Sequence, residues 1–558
     1  MRRRYAPLAL VLLMAGCSRQ QSAFPWQDPK LPPEKRAQDR LNRMSRAEKV
    51  DLLSGRALPT FPVPPNYPAG LTAAASWDPD LVGQVADALA NEAIGHERVD
   101  VLGPDLQSYG EDQWLASRMG VAFVGGVQGE GIVATPRLFP ATWQDERVLR
   151  ETRLPAFRAA VEEAGAWSMM AAGGDPHLLT DILRNEWGFK GFVLSDGSSG
   201  PDGAAAAKAG IDIGMANPSQ LPGGTIDEKA RTILRALFAS GAFDPRVVQI
   251  ADRSAERYAL IHKLDAEGIV LLKNAGNALP LDAAKVHSIA IVGKGSWDEL
   301  RSRAGTLIEV KVFDPSDAPA AVAAAKKADI AIVAADRNMP GNLISQIAGA
   351  NPRTVVVLTE GPAAGVERWR DSVRAILCGW NIAGLAPVLF GDVDASGRLP
   401  VTYAKEMPKQ AGGLYPGYRY FDEKGIEPIY PFGFGLSYSQ FEYSDLKIFP
   451  ATPRYGETIN VVLRVRNTGS RTASDVVQLY LHQAKPNVER PVRELRGFRR
   501  VTLKADESTT VSMVLDRRSL WFFDPAPRDW VTQPGVYEVS IGASSRDIRL
   551  KGSFELFE

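Results

Sequence analysis

The chain has 558 residues, too long for a single domain at roughly 100–200 residues each, so about three or four are expected. Lys plus Arg and Asp plus Glu both number 65, a balance that gives no basic face for nucleic acid and no acidic one for cationic partners. The 45% hydrophobic fraction, with 11 Trp and 21 Phe, is that of a globular protein able to build several cores.

The N-terminal "MRRRYAPLALVLLMAGCSRQ" reads as a targeting segment. Arg2, Arg3 and Arg4 form a basic start, residues 8–14 an apolar centre, and Ala15-Gly16 a small-residue cleavage site. The apolar run is shorter than the ~20 residues that span a bilayer. With Cys17 directly after "LMAG", the segment resembles a bacterial lipoprotein signal. Residues 1–16 would be removed, Cys17 lipidated, and the protein carried by its anchor in the cell envelope, at the periplasm or outer membrane. An ordinary secretory signal, releasing the protein to the periplasm, is the second reading. Cys17 and Cys378 are the two cysteines, which leaves no pair for an intrachain bridge in a lipidated chain. Cys378, in "VRAILCGW", reads as core. The Gln-, Pro- and charge-rich stretch that follows reads as a tether over 17–40.

From 41 to 250, helical stretches alternate with short strand-like runs, as in "ERVLRETRLPAFRAAVEEAGAWSMMAA" and "LLTDILRNEWGFKGFVLSD". That alternation predicts parallel strands with crossover helices, an α/β layer or barrel. A second α/β unit spans 265–405, with strands expected at 289–292, 330–334, 354–358 and 375–377 in an open sheet covered on both faces. "IVGKGSWDEL" lacks the third glycine of a dinucleotide fingerprint. After a Tyr-, Pro- and Gly-rich connector at 406–440, residues 441–558 alternate polar and apolar between turn signals, the pattern of a β-sandwich.

"LLTDILRNEWGFKGFVLSD", "GIVLLKNAGNALPL", "LFGDVDASGRLPVTY", "YRYFDEKGIEPIYPFGFGLSYSQFEYSDL" and "NVERPVRELRGFRRVTLKADE" together resemble glycoside hydrolase family 3, the family of bacterial β-glucosidases. The resemblance implies a TIM-like (β/α) barrel, open to trimming, then an α/β sandwich, then a fibronectin-III-like domain. It implies an exo-acting retaining hydrolase of terminal β-linked glucosides or xylosides. In such a mechanism one carboxylate attacks the anomeric carbon and a second carboxyl, ~5–5.5 Å away, protonates the leaving oxygen. Asp196, which ends the apolar run 192–194, is the implied nucleophile; the bland alternative is an Asp that caps the loop after it.

The family's acid/base glutamate lies on a loop of the α/β sandwich, and here "ADIAIVAA" runs directly into Asp336-Arg337. The family's arginine-containing stretch has become "GPDLQSYGED", with Gln107 in place of glutamate, and Pro136-Arg137-Leu138 replaces a Lys-His pair. The acid/base therefore stays open, with His177 and Glu360 as candidates. Asp175-Pro176-His177 is similar to the Asp-x-His dyad of the family's N-acetylglucosaminidase branch, and Glu360 follows a sandwich strand. Arg137 is a candidate for contacting the sugar. Trp521-Phe522-Phe523 is read as core or interdomain packing, and His262 as a surface residue. No metal and no cofactor is expected. The partners expected are a carbohydrate substrate and, through the lipid anchor, a membrane, with no nucleic acid. A member of the family that has lost hydrolysis and serves as a glycan-binding or structural envelope lipoprotein is the alternative.

Overall fold

A computed structural model of the chain describes residues 24–64, 67–68, 70–143, 145–197, 202–244, 254–360, 365–405 and 413–558. The leader and Cys17 lie outside the described residues. The folded body starts earlier than expected. Helix Pro33–Arg43, with proline in its first turn, lies where the composition predicts a tether over 17–40. Ala37 and Leu41 are buried, and Arg36 is buried with its guanidinium 2.6 Å from Asp244, over the Phe238 ring, and donating to the Trp26 carbonyl. Charge density suggested solvation, but a long arginine stem can bury on apolar surface when its head finds a partner.

The first domain is a barrel built from parallel strands β1 (Thr60–Pro62), β2 (Asp100–Leu102) and β3 (Val133–Ala134), paired in that order, and the parallel pair β4 (Ser168–Ala171) and β5 (Phe192–Ser195). Phe139 bridges to Ala171 and joins the two groups, and Leu194 bridges to Ile213 to add a sixth stave. The Gly214 N–H then donates to the Leu53 carbonyl, bringing the ring back to the segment before β1. Six staves among the described residues, against eight in a full TIM barrel, make this the trimmed form. The helices wrap it for ordinary reasons. Pro79–Gly95 is capped by Asp78, whose carboxylate accepts from the Leu81 N–H, and it buries Leu81, Val82, Val85, Ala86, Leu89 and Ala93 along one stripe.

The second domain is a six-stranded sheet. It uses β6 (Val270–Asn274), β7 (Ser288–Val292), β8 (Glu309–Phe313), β9 (Ile330–Ala335), β10 (Thr354–Leu358) and β11 (Ala375–Cys378), in the order β6-β11-β10-β9-β7-β8. All neighbours are parallel except β6 against β11. Four of these strands match the strands expected from sequence, and β6 lies in "GIVLLKNAGNALPL", the segment that the resemblance places at the start of this domain. The exposed edge strand β8 was not anticipated. Cys378 is core, its Sγ 3.0 Å from the Tyr403 hydroxyl, and burial pushes the thiol up to about 12.

The third domain packs a three-stranded sheet on a four-stranded one. The first is β12 (Phe441–Phe449), β13 (Ile459–Asn467) and β16 (Ser508–Leu515). The second is β15 (Glu494–Leu503), β14 (Ala473–Gln483), β19 (Gly535–Gly542) and β20 (Ile548–Leu556). A hairpin of β17 (Phe522–Asp524) and β18 (Asp529–Val531) leans on the barrel, where Phe523 N–H donates to Glu151 and the Arg150 guanidinium covers the Phe523 ring. That hairpin carries the Trp521-Phe522-Phe523 run, in interdomain packing as the sequence suggested.

Buried polar contacts tie the domains together. Glu111 accepts from the Thr402 N–H, the Thr402 hydroxyl and the Tyr418 N–H at 2.6–2.8 Å. Its neighbour Asp112 caps helix Gln113–Gly129 and accepts from the Tyr418 hydroxyl. Gly110 (φ +102°) precedes them, where a Cβ would stand 2.3 Å from the Pro400 carbonyl oxygen. Opposite, a Cβ on Gly417 (φ +58°) would meet the Glu111 carboxyl carbon at 2.2 Å, so both positions demand glycine. Arg398 pairs with Asp475 at 2.6 Å, both 2% exposed at the side chain. Burial works to raise the Asp475 pKa, and Arg398 and Arg549 outweigh it, holding the carboxyl below its ordinary value.

Two stability predictions follow from these buried groups. Arg398→Met leaves Asp475 without its main partner and is expected to cost about 3–5 kcal/mol in urea unfolding, with partial recovery in Arg398→Met/Asp475→Asn. In the barrel core, Asp100 is fully buried and accepts from the Thr135 hydroxyl, itself bonded to Ser168; burial pushes its carboxyl up to about 7. The folded state thus keeps a proton that the unfolded chain releases near pH 4. Asp100 favours folding fully below that pH, and this contribution is lost as pH rises towards 7. Asp100→Asn is expected to flatten this part of the pH–stability curve, so its melting temperature relative to wild type rises between pH 4 and 8.

Candidate active site

The barrel's carboxyl-terminal rim collects three of the four residues singled out from sequence. β5 carries Phe192, Val193 and Leu194 buried, then releases the chain to solvent at Asp196. Its backbone is pinned from both sides: Ser195 N–H donates to the Ile213 carbonyl and Asp196 N–H to the Ala171 carbonyl. Gly197 (φ +96°) turns the chain at once, with its N–H on the Ser195 hydroxyl. The carboxylate of Asp196 is therefore presented on the face where parallel barrels hold their catalytic groups.

The stave beside β5 is bolted on by Asp212. This buried carboxylate accepts from the Val193 N–H at 2.8 Å and pairs with Arg184 at 2.5 Å and Lys229 at 3.2 Å. Arg184 also donates to the Gly191 and Gly210 carbonyls, so one guanidinium joins the start of β5 to the start of the next stave. Sequence reasoning missed Asp212 because a charged residue in "AGIDIGM" gives no period by which to place it.

A cavity of about 350 Å3 lies within the ring of staves, on the seam where residues 213–214 meet the segment before β1. Thr60, Leu102, Met170, Leu194 and Ser195 form its walls from β1, β2, β4 and β5, and Ser54 and Arg56 add polar groups at the seam. This volume is in the range of small-molecule pockets. Ser195, next to Asp196, ties the cavity to the candidate nucleophile.

His177 starts the helix that follows β4, on the same rim. Asp175 does not touch its ring; the carboxylate accepts the backbone N–H groups of His177 and Leu178, a cap. The imidazole instead lies between two other acids, Nε2 at 3.1 Å from Glu146 and Nδ1 at 3.3 Å from Asp181, with the Trp143 ring 4.9 Å away. Glu146 follows the helix cap Asp145, whose side chain accepts from Val148 N–H. The Asp-Glu pair in "WQDE" has the look of a helix start, and that reading hides its role as a histidine partner.

Arg137 ends the third stave, its N–H on the Pro104 carbonyl, and its buried Nε has no acceptor among the described residues. Gln107 reaches across to the Leu138 carbonyl in the same loop. Glu360 stands elsewhere, after β10 of the α/β sandwich, where its exposed carboxylate accepts from Arg337 Nε at 3.0 Å. β9 ends at Ala335 and helix Gly341–Ala350 begins after a five-residue turn, so no long loop leaves the sheet there. His262 is exposed on its helix, and among the described residues no group of three His, Cys, Asp or Glu side chains is arranged to hold a metal.

Three family profiles match the chain: the Glycosyl hydrolase family 3 N terminal domain over residues 47–236, the Glycosyl hydrolase family 3 C-terminal domain over 269–438, and a Fibronectin type III-like domain over 475–545. Thermostable beta-glucosidase B of Acetivibrio thermocellus is 30% identical over 87% of this chain and 79% of its own length. A beta-xylosidase of Formosa agariphila is 30% identical over 87% of both chains. The crystal structure of the Bifidobacterium adolescentis GH3 beta-glucosidase superposes with a TM-score of 0.83 at 27% identity, covering 92% of this chain and 95% of that one. The alignment with the Acetivibrio thermocellus enzyme extends over 601 positions, more than the 558 residues present here, so that relative carries segments this chain lacks. Profiles, relatives and superposition agree over most of the described body, and the chain belongs to glycoside hydrolase family 3.

Proposed function

We propose that this chain is an exo-acting, retaining glycoside hydrolase of the β-glucosidase type, removing terminal β-linked glucose or xylose, with Asp196 as nucleophile. The observation that carries the reading is the position of Asp196, directly after β5 on the barrel rim and beside a cavity of about 350 Å3. The similarity to a β-glucosidase and a β-xylosidase supports the substrate class and favours hydrolysis over a purely glycan-binding or structural role.

In this reading the Asp196 carboxylate attacks the anomeric carbon as the bond to the leaving oxygen breaks, and the leaving oxygen takes a proton. Water then attacks the same carbon of the glycosyl ester, loses a proton to the acid/base group, and frees the carboxylate with net retention. The place of Arg137 at the end of the third stave supports a role in contacting the sugar. For the proton donor, the rim position favours His177 over Glu360, which is engaged by Arg337 on the other domain. Glu146 orients the imidazole from Nε2, so donation requires that contact to open as substrate enters.

A leaving-group series tests both roles. Asp196→Ala is expected to lose on the order of 10⁴-fold or more in kcat on every aryl β-glucoside, as removal of a covalent nucleophile does. His177→Gln is expected to slow alkyl glucosides strongly while sparing dinitrophenyl glucosides, which leave without protonation. Unchanged hydrolysis in Asp196→Ala would refute the nucleophile, and equal slowing of all leaving groups in His177→Gln would refute the proton donor.

We also propose attachment to the cell envelope through lipid on Cys17, on the basis of the leader sequence. Cys17→Ala is expected to move the protein from the membrane fraction to the soluble one; retention in membranes would overturn the anchor.

A further inference from the structure

The open edge of the α/β sheet is β8, which pairs with β7 on one side and, among the described residues, with no strand on the other. Its backbone bonds fix which groups face outward. The Glu309 N–H donates to the His287 carbonyl and the Phe313 carbonyl accepts from the Gly293 N–H, so residues 309, 311 and 313 turn their peptide groups towards β7. Successive residues of a strand alternate, and Val310 and Val312 therefore turn their N–H and C=O groups to the free side. Val312 is 38% exposed, and Leu307, just ahead of the strand, is 81% exposed, the most of any large apolar side chain among the described residues.

A row of unpaired backbone groups beside exposed apolar side chains is a template for another strand, and proteins blunt such edges with lysine, proline or a covering segment. β8 has no proline, and its lysine is neutralised, with Lys311 Nζ 2.7 Å from the Glu309 carboxylate on the same face of the strand. The edge therefore carries no net charge to repel a partner. Its order, Glu309-Val310-Lys311, is also self-complementary. In an antiparallel pair of two copies the outward groups must meet outward groups, so the two-fold axis passes through a residue and not between residues. With the axis at Val310, Glu309 of each copy faces Lys311 of the other, the two Val310 residues exchange N–H to C=O bonds, Val312 faces Ile308, and Phe313 covers Leu307. Moving the axis to Lys311 would set the two lysines opposite each other, which is destabilising.

We infer that β8 is a dimerisation edge, along which two copies of this chain pair antiparallel about Val310 and join their six-stranded sheets into one. The contact is isologous and closes on itself, so assembly stops at two copies. A standard stable interface buries roughly 1,600 Å2. A five-residue edge with Leu307 makes a smaller one, and association is expected at micromolar rather than nanomolar concentration.

The test is sedimentation velocity of the full folded chain over a concentration series that reaches high micromolar. The expected result is a monomer at low concentration that passes to a dimer and to nothing larger. Glu309→Lys sets like charges opposite each other and is expected to weaken association about tenfold, and Glu309→Lys/Lys311→Glu restores it because the exchanged strand is complementary again. Val310→Pro removes the outward N–H at the axis, a change that an edge strand accommodates, and is expected to abolish the dimer. Melting temperatures close to wild type show that these losses report pairing and not folding; if Val310→Pro fails to fold, the charge exchange decides. A chain that stays monomeric throughout leaves this edge to a strand of another protein and overturns the inference. A dimer unaltered by Glu309→Lys, or one that the charge exchange does not restore, overturns it as well.

Discussion

The structure turns on two adjacent carboxylates, Glu111 and Asp112, at the start of helix Gln113–Gly129. Glu111 binds backbone and side chain of Thr402 at the end of the α/β domain and the N–H of Tyr418 in the connector. Burial pushes its carboxyl up to about 7 against the pull of these three donors. Asp112 caps its helix with one oxygen and receives the Tyr418 hydroxyl with the other; that hydroxyl in turn accepts the Leu495 N–H of the third domain. Arg419 stands between Asp112 and Glu494, and although burial works to raise Glu494, the guanidiniums of Arg496, Arg490 and Arg419 hold it down to about 2. Three domains therefore meet through charges that are costly to bury singly and tolerable only together.

The six staves do not close by strand pairing all the way round, and the seam between residue 214 and the segment before β1 is held by the Gly214 bond to Leu53. The cavity sits there, so the reduced barrel keeps an opening that a fully packed ring of side chains would fill. Asp212, with Arg184 and Lys229, supplies by ion pairing the rigidity that neighbouring strands give in a larger barrel.

Connections at the carboxyl ends of strands can be short, as in the five-residue turn after β9. Such loops cross the surface and contribute little to the core, so their removal costs the fold little while altering what lines the pocket. His177, the proposed proton donor, is held on the barrel rim between Glu146 and Asp181.

Much of the scaffold was legible in the amino-acid order. Alternation of helical and apolar runs marked the barrel and the sheet strands at 288–292, 330–335, 354–358 and 375–378, and period-two patterning marked the sandwich, because burial of one face imposes those periods locally. Asp196 was legible too, as an acid ending an apolar strand. What the chain order could not reveal depended on residues far apart in sequence. Asp175 looked like the partner of His177 from two residues away, yet it caps the backbone, and Glu146, 31 residues upstream, meets the ring. The N-terminal helix was read as tether because its stretch is Gln-, Pro- and charge-rich, and the pairing of Arg36 with Asp244 and the Trp26 carbonyl makes burial of that charge tolerable. The sequence by itself determined most of the elements and the apolar strand that leads to Asp196, since these follow from local periodicity and turn chemistry. The tertiary structure decided the ion pairs, the seam and the cavity, since the cost of burying a charge is settled by partners that only folding brings within reach.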